Sequence, residues 1–269
     1  MPYGDLYIYY VSGCVSAGKS IFGKNFIGNW QEADCSFLFF SDPADDLVAS
    51  VLAGNPEAAL KDRFIMPYED WIGGAPHPFE AGGFRVVPPW LPEAGAGRTD
   101  VIWLDPGVVF GSGTHPTTRD CLDAMEMICR KASVQTTLDL GCGTGLLALA
   151  AARLGSRRTL AVDRNLLAVE TTQNNIMKNR LEDSVLAIQG CAEDFISAGA
   201  DLVVANIHYD VMKTLVAAPE FADTKRFILS GLLCSQADRI EDNLRQEGAG
   251  IEHRFVGEGV WHTLVGGFG

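Results

Sequence analysis

Leu138-Asp139-Leu140-Gly141-Cys142-Gly143-Thr144-Gly145 is the stretch whose reading decides the fold. A short aliphatic run ends in three glycines at alternate positions, and the alanine- and leucine-rich segment Leu146 to Leu154 follows as a helix. Glycines at a strand-to-helix turn let the backbone bend sharply and approach a ligand more closely than side chains allow. A dinucleotide fingerprint reads Gly-x-Gly-x-x-Gly, but here the third glycine arrives one residue early and position 146 is Leu. That spacing argues against NAD. Asp139, next to the loop, repels a pyrophosphate and favours a cation such as the sulfonium or α-ammonium of S-adenosylmethionine.

From this loop the same pattern repeats outward. Short β-branched and aliphatic runs at Thr137 to Leu140, Thr159 to Asp163, Val185 to Gln189, Asp201 to Asn206 and Arg226 to Ser230 alternate with amphipathic segments at 146–154, 166–179 and 235–247. Such βα units build a mostly parallel sheet. Asp163 ends the second strand, 22 positions after Gly141, where a carboxylate accepts both hydroxyls of a ribose. Glu193, after the third strand, is read as an adenine neighbour or a simple helix cap. Asn206 ends the fourth, at the edge where open α/β sheets place their sites, and its amide offers donors and an acceptor to a ligand or an incoming amine. After Gly248, Ile251 to Val256 and Val260 to Val265 read as a hairpin turning at Gly257-Glu258-Gly259. A parallel sheet finished by an antiparallel hairpin is the Rossmann-like architecture of class I methyltransferases. Upstream, Thr114 to Cys129 reads as a helix with Thr114 as its cap, Pro116 near its first turn and a stripe of Leu122, Met125 and Ile128.

Residues 1–66 form a different segment, with strands expected at Leu6 to Val11 and Ser36 to Phe40 and a helix at Asp45 to Leu52, a small α/β domain. Residues 67–78, with Gly73, Gly74, Pro76 and Pro78, are the expected linker, and 79–269 the larger domain. Gly13-Cys14-Val15-Ser16-Ala17-Gly18-Lys19-Ser20 fits the phosphate-binding Gly-x-x-x-x-Gly-Lys-Ser pattern after a strand, the mark of a nucleotide hydrolase. The residues after it are poor helix formers, and the small domain lacks an obvious second magnesium-binding aspartate.

The chain has 269 residues, 47% hydrophobic and 20% charged, enough for one large core and a smaller module. Its seven cysteines include no Cys-x-x-Cys pair and its five histidines no helical metal spacing, so neither disulfides nor a metal is expected. Thirty-four acidic against 21 basic side chains leave a net charge of −13, which disfavours nucleic acid and suits a basic protein partner. No stretch reaches the roughly 18 to 20 apolar residues that span a bilayer, and the start has no signal-peptide pattern, so a cytoplasmic location without membrane partners is expected.

Leu104-Asp105-Pro106-Gly107-Val108-Val109-Phe110-Gly111-Ser112-Gly113-Thr114-His115-Pro116-Thr117-Thr118 resembles the signature of the PrmA family, the methyltransferases of ribosomal protein L11. The resemblance covers most of residues 79–269 and takes in Asn206-Ile207, Ser230-Gly231-Leu232-Leu233 and Trp261. It implies that Thr118, Gly141, Asp163 and Asn206 contact S-adenosylmethionine, joining Asp139 and Gly143 of the glycine loop. It also implies that a small amino-terminal domain captures a basic protein, ribosomal protein L11, for methylation of lysine side chains and an α-amine. His208-Tyr209 and the Gly73 to Pro78 interruption depart from the usual pattern, and both bear on substrate delivery. A methyltransferase acting on another protein or a small molecule, and a noncatalytic binding protein, are the alternatives. Methyl transfer is an in-line displacement that chiefly needs alignment of nucleophile, methyl and sulfonium, and Asn206, His208 or Tyr209 are candidates to guide the amine.

Overall fold

Leu6, Ile8, Tyr9 and Val11 are buried along Asp5–Ser12, which makes this segment an inner strand of its sheet. The computed structural model describes residues 1–15, 19–32, 34–74 and 77–269. It divides into two compact units, one built on Met1–Pro76, the other on His77–Arg164 and Ala168–Gly269. The first contains β1 (Asp5–Ser12), α1 (Lys19–Phe22), β2 (Phe26–Glu32), β3 (Cys35–Phe40), α2 (Asp45–Ala53), β4 (Ala59–Pro67) and α3 (Tyr68–Trp71). Its strands form an antiparallel sheet in the order β2-β3-β1-β4. Tyr9, Val11, Leu38 and Phe40 pack with Phe22 and Val48 of the helices into one core. The expected strands 6–11 and 36–40 and helix 45–52 are present. β2 and β4 are additions: β4 is exposed along nearly its whole length, so its residues lack the apolar alternation that signals a half-buried strand. The phosphate-binding pattern at 13–20 lies partly outside the described residues. Its described neighbours are a strand antiparallel to both flanking strands and a helix of four residues.

The second unit opens with a three-stranded sheet of β5 (Phe79–Ala81), β6 (Phe84–Val87) and β7 (Val101–Trp103). There follow α4 (Pro116–Lys131), β8 (Thr136–Leu140), α5 (Leu146–Arg153), β9 (Arg158–Asp163), α6 (Leu166–Asn179), β10 (Val185–Gln189) and β11 (Leu202–Asn206). α7 (Tyr209–Ala217), β12 (Phe227–Leu233), α8 (Cys234–Gln246), β13 (Gly250–Gly257) and β14 (Trp261–Gly267) complete it. The seven-stranded order is β10-β9-β8-β11-β12-β14-β13, with the first five strands parallel and the last two a hairpin running antiparallel. This is the Rossmann-like methyltransferase sheet expected from the repeats; β10 and α6 coincide with the expected segments at both ends, and β8, β9 and β11 at their carboxyl ends.

Apolar residues of the strands point both ways. Leu138, Leu140, Val203 and Leu229 pack with Leu215 of α7 and Ile240 of α8, while Ala161, Val204 and Ile228 pack with Leu122, Met125 and Leu149 of α4 and α5. Burying both faces requires near-continuous apolar runs, which is why these strands read as such. The chain winds outward from β8 through β9 to β10, then crosses to β11 on the other side. The carboxyl ends of β8 and β11 therefore border the point where strand order reverses, where open sheets leave a crevice.

Candidate functional site

At that crevice the glycine loop follows β8. Gly141, Gly143 and Gly145 have φ of 76°, 54° and 81°, a left-handed backbone that favours glycine. A Cβ on Gly143 would stand 2.3 Å from the Phe110 carbonyl oxygen, and one on Gly141 2.2 Å from Ile207 Cγ2. The Gly141 and Cys142 amides donate to the Val162 carbonyl at 2.8 and 3.0 Å, tying the turn to the end of β9. Asp163, the last residue of β9, accepts from the Gly143 amide at 3.0 Å. It thus closes the loop as well as facing the crevice.

Asp139 is 1% exposed, and both its carboxylate oxygens are buried without a hydrogen-bond partner. Burial pushes its carboxyl up to about 7, opposed by the nearby Ala148 backbone amide and helped by the charge of Asp163. A fully buried, unpartnered carboxylate is costly unless a cation or donor meets it. Thr118 Oγ1, in the first turn of α4, is likewise buried without a partner. Asn206 ends β11 and donates from Nδ2 to Thr117 Oγ1 at 3.1 Å. The structure thus brings Thr118, Asp139, Gly141, Gly143, Asp163 and Asn206 to one end of one sheet. Glu193 begins a 3-10 turn (Ala192–Ala198) after β10 and is exposed. His208 is the N-cap of α7, its side chain accepting from the Asp210 amide.

The segment before α4 is held from an unexpected quarter. α6 buries Thr172, Asn175 and Asn179, at 0%, 0% and 4% exposure, on its inward face. Asn179 donates to the Trp103 carbonyl at 2.7 Å and accepts from its amide at 3.0 Å; Asn175 does the same with Asp105, both at 2.9 Å. Four helical residues advance about 6 Å and two strand residues about 6.6 Å, so amides at i and i+4 match alternate residues of an extended chain. Asn175 also donates to the Thr144 carbonyl at 2.9 Å, joining the 104–118 segment to the glycine loop. Thr144 completes the junction, its amide donating to the Phe110 carbonyl at 3.1 Å and its hydroxyl to that of Gly111 at 2.6 Å.

The cap of α4 differs from expectation. His115, not Thr114, is the N-cap, its Nδ1 accepting from the Thr117 amide, and Pro116 follows where a missing N–H leaves no bond unmade. Its ring lies edge-on to Trp261 at 4.9 Å and 5.7 Å from Phe110. Thr117, Asn175 and Asn179 escape the sequence reading. The signal for the two asparagines was present as polar residues at 172, 175 and 179, spaced to share the inward face of α6. Among the described residues, no helix is long and apolar enough to cross a membrane and no group of three acidic, His or Cys side chains is placed to hold a metal.

The family model described as ribosomal protein L11 methyltransferase (PrmA) matches residues 66–267. Among curated proteins, a ribosomal protein L11 methyltransferase of Gloeobacter violaceus is 41% identical over 192 residues, covering 69% of this chain and 58% of its own length. One from Clostridium perfringens is 34% identical over 254 residues, covering 92% of this chain and 79% of its own. The chain thus spans just under three-fifths of the first relative's length. The crystal structure of the ribosomal protein L11 methylase from Lactobacillus delbrueckii subsp. bulgaricus superposes with a TM-score of 0.60 at 26% identity, covering 69% of this chain and 95% of that one.

Proposed function

This chain belongs to the ribosomal protein L11 methyltransferase (PrmA) family, and from that premise we propose that it transfers methyl groups from S-adenosylmethionine to amines of ribosomal protein L11. The observation that carries this reading is the buried, unpartnered carboxylate of Asp139 beside a loop whose glycine positions have no room for side chains. That site fits a positively charged, close-lying cofactor. In this reading Asp139 and Thr118, two of the buried polar side chains with an unbonded oxygen, turn toward the methionine part, while Asp163 binds the ribose. At Gly141 and Gly143 the place a Cβ would take is filled by Ile207 and the Phe110 carbonyl, so glycine there lets the loop that borders the ligand pack closely against its own neighbours. The bound cofactor supplies an electrophilic methyl on a sulfonium.

The protein's own task is then positioning. A lysine amine, with an ordinary pKa of about 10.4, attacks only once it has lost its proton. Asn206, at the carboxyl end of β11, meets it with a neutral amide, and a water-poor crevice favours the uncharged amine. Alignment of nucleophile and methyl supplies several kcal/mol of barrier reduction, and no covalent intermediate is needed. Residues 1–66, within the first unit, are the proposed substrate-capturing domain, with the segment to 78 as its connection. The unit carries ten acidic against four basic side chains in residues 1–76, which suits a basic protein. Its exposed β4 displays Leu60, Phe64 and Ile65. A protein acting on a soluble ribosomal component works in the cytoplasm.

Incubation with S-adenosylmethionine carrying a labelled methyl, together with recombinant ribosomal protein L11, tests this. The expected result is label on lysine side chains or the α-amine, lost with Asp163→Ala. Tight cofactor uptake with no label on L11 would remove the substrate assignment. Absence of uptake by folded protein would remove the activity altogether.

A further inference from the structure

The polar chain between the crevice and the cap of α4 has a direction. Asn206 Nδ2 can only donate, so at 3.1 Å the Thr117 hydroxyl oxygen accepts. Thr117 Oγ1 lies 2.7 Å from His115 Nδ1, and the same Nδ1 accepts from the Thr117 backbone amide. An atom that caps a helix N-terminus carries no hydrogen, so the hydroxyl donates to Nδ1 and the neutral ring keeps its proton on Nε2. The order is Asn206 to Thr117 to His115. Both donors of the chain point away from the crevice, and Asn206 Oδ1 is left beside Gly231, where a Cβ would stand 3.1 Å from it.

We propose that His115 is a positioning residue: its neutral ring, acting through Thr117, holds Asn206 with the amide oxygen turned to receive the N–H of the attacking amine. The proposal rests on the methyl-transfer reading above and specifies how that site orients its nucleophile. Protonating His115 places a hydrogen on Nδ1. The ring then donates to Thr117, whose hydroxyl hydrogen is released from Nδ1 and offered back along the chain, and in the proposed switch the Asn206 amide rotates to accept it. Two N–H groups then face the crevice in place of an oxygen, and an amine loses its acceptor.

The surroundings favour the neutral ring. Burial holds the His115 pKa below its ordinary value, and an imidazolium at the positive end of a 16-residue helix is further disfavoured. Glu258, in the β13–β14 turn, is the charged group acting against this. Phe110 and Trp261, which pack on the ring, carry no charge, and neither do Thr117 and Asn206.

The test has a spectroscopic arm that needs no substrate. In the isotope-labelled full chain, the side-chain amide signals of Asn206 are followed while the His115 ring is titrated. They are expected to move with the His115 midpoint in the native protein and in Thr117→Ser, and to ignore it in Thr117→Val. The kinetic arm uses ribosomal protein L11. Deprotonation of the amine alone makes kcat/KM fall about tenfold per pH unit, and inversion of the chain adds a second tenfold below the His115 midpoint. His115→Asn keeps an acceptor and a good helix cap but cannot titrate, so the single slope should extend through the whole range. Asn206 signals indifferent to His115, or a steep acid limb surviving in His115→Asn, would overturn the proposal. Coupled signals in a protein that methylates no amine would uphold the chain and sink the methyl-transfer reading.

Discussion

Asp139→Asn should make the ligand-free protein more stable at alkaline pH while weakening its hold on the cofactor. Burial raises the Asp139 carboxyl from 3.8 to about 7. At 1.36 kcal/mol per pKa unit, ionising this group in the folded protein costs about 4 kcal/mol relative to the unfolded chain. The sign follows from proton uptake: between pH 4 and 7 the folded state keeps a proton the unfolded state has released. Stability is therefore present at low pH and lost as pH rises through about 7. From pH 8 to pH 5 the native protein should gain about 3 kcal/mol relative to the variant, whose amide does not titrate. Urea unfolding at pH 5, 6, 7 and 8 reads this difference, and subtracting the two profiles removes every group they share. Calorimetry supplies the second half: S-adenosylmethionine uptake near pH 6.5 should release a proton from the native protein and none from the variant. The variant should also bind at least about tenfold more weakly, the worth of one charge-assisted contact. A stability difference that does not change with pH would show that Asp139 is ionised and satisfied without a ligand, and would remove the reason for expecting a cation there.

Gly143→Ala places a Cβ 2.3 Å from the Phe110 carbonyl in a residue with φ of 54°, so the loop must shift. Titration with S-adenosylhomocysteine should show at least about a tenfold loss of affinity; unchanged binding would mean that the loop does not form the cofactor bed. Asn175→Leu removes the partners of the Asp105 amide, the Asp105 carbonyl and the Thr144 carbonyl together. Leaving such a group buried without a partner costs about 1–3 kcal/mol, and because the two Asp105 groups are only part-buried the low end of the sum over three, roughly 3–5 kcal/mol, is expected by chemical denaturation. Faster amide exchange should appear at Asp105; loss of stability without it would place the damage elsewhere.

The regular part of the fold was legible because its causes are local. Strands buried on both faces need unbroken aliphatic runs, and crossover helices between them need apolar residues every three to four positions. Both patterns appear without competition between Thr136 and Gln246. The hairpin announced itself through Gly257-Glu258-Gly259, where Glu258 and Gly259 adopt φ of 51° and 72°. The six candidate residues converge because each lies at or next to the end of a strand, follows one or stands in the first turn of a helix at the same edge of the sheet, a placement that topology dictates once the strand order reverses.

The remainder depends on partners distant in sequence, which no local pattern encodes. Thr114 and His115 both stand at the start of α4 and both carry acceptors; only the position of Trp261, 146 residues on, and the bond to Thr117 distinguish them. Asn175 looks like a solvent-facing helix residue by type, yet its amide satisfies a segment 70 residues away. The inward face of α6 is polar for a physical reason. A loop that must pass close to backbone without a sheet neighbour has amides and carbonyls to satisfy, and a helix can satisfy them only through side chains. Asparagine supplies both a donor and an acceptor in one short group, and its four-residue repeat matches the extended chain. Polar residues on the buried stripe of a crossover helix therefore point to an irregular segment pressed against it, and in this protein that segment is the one that frames the glycine loop.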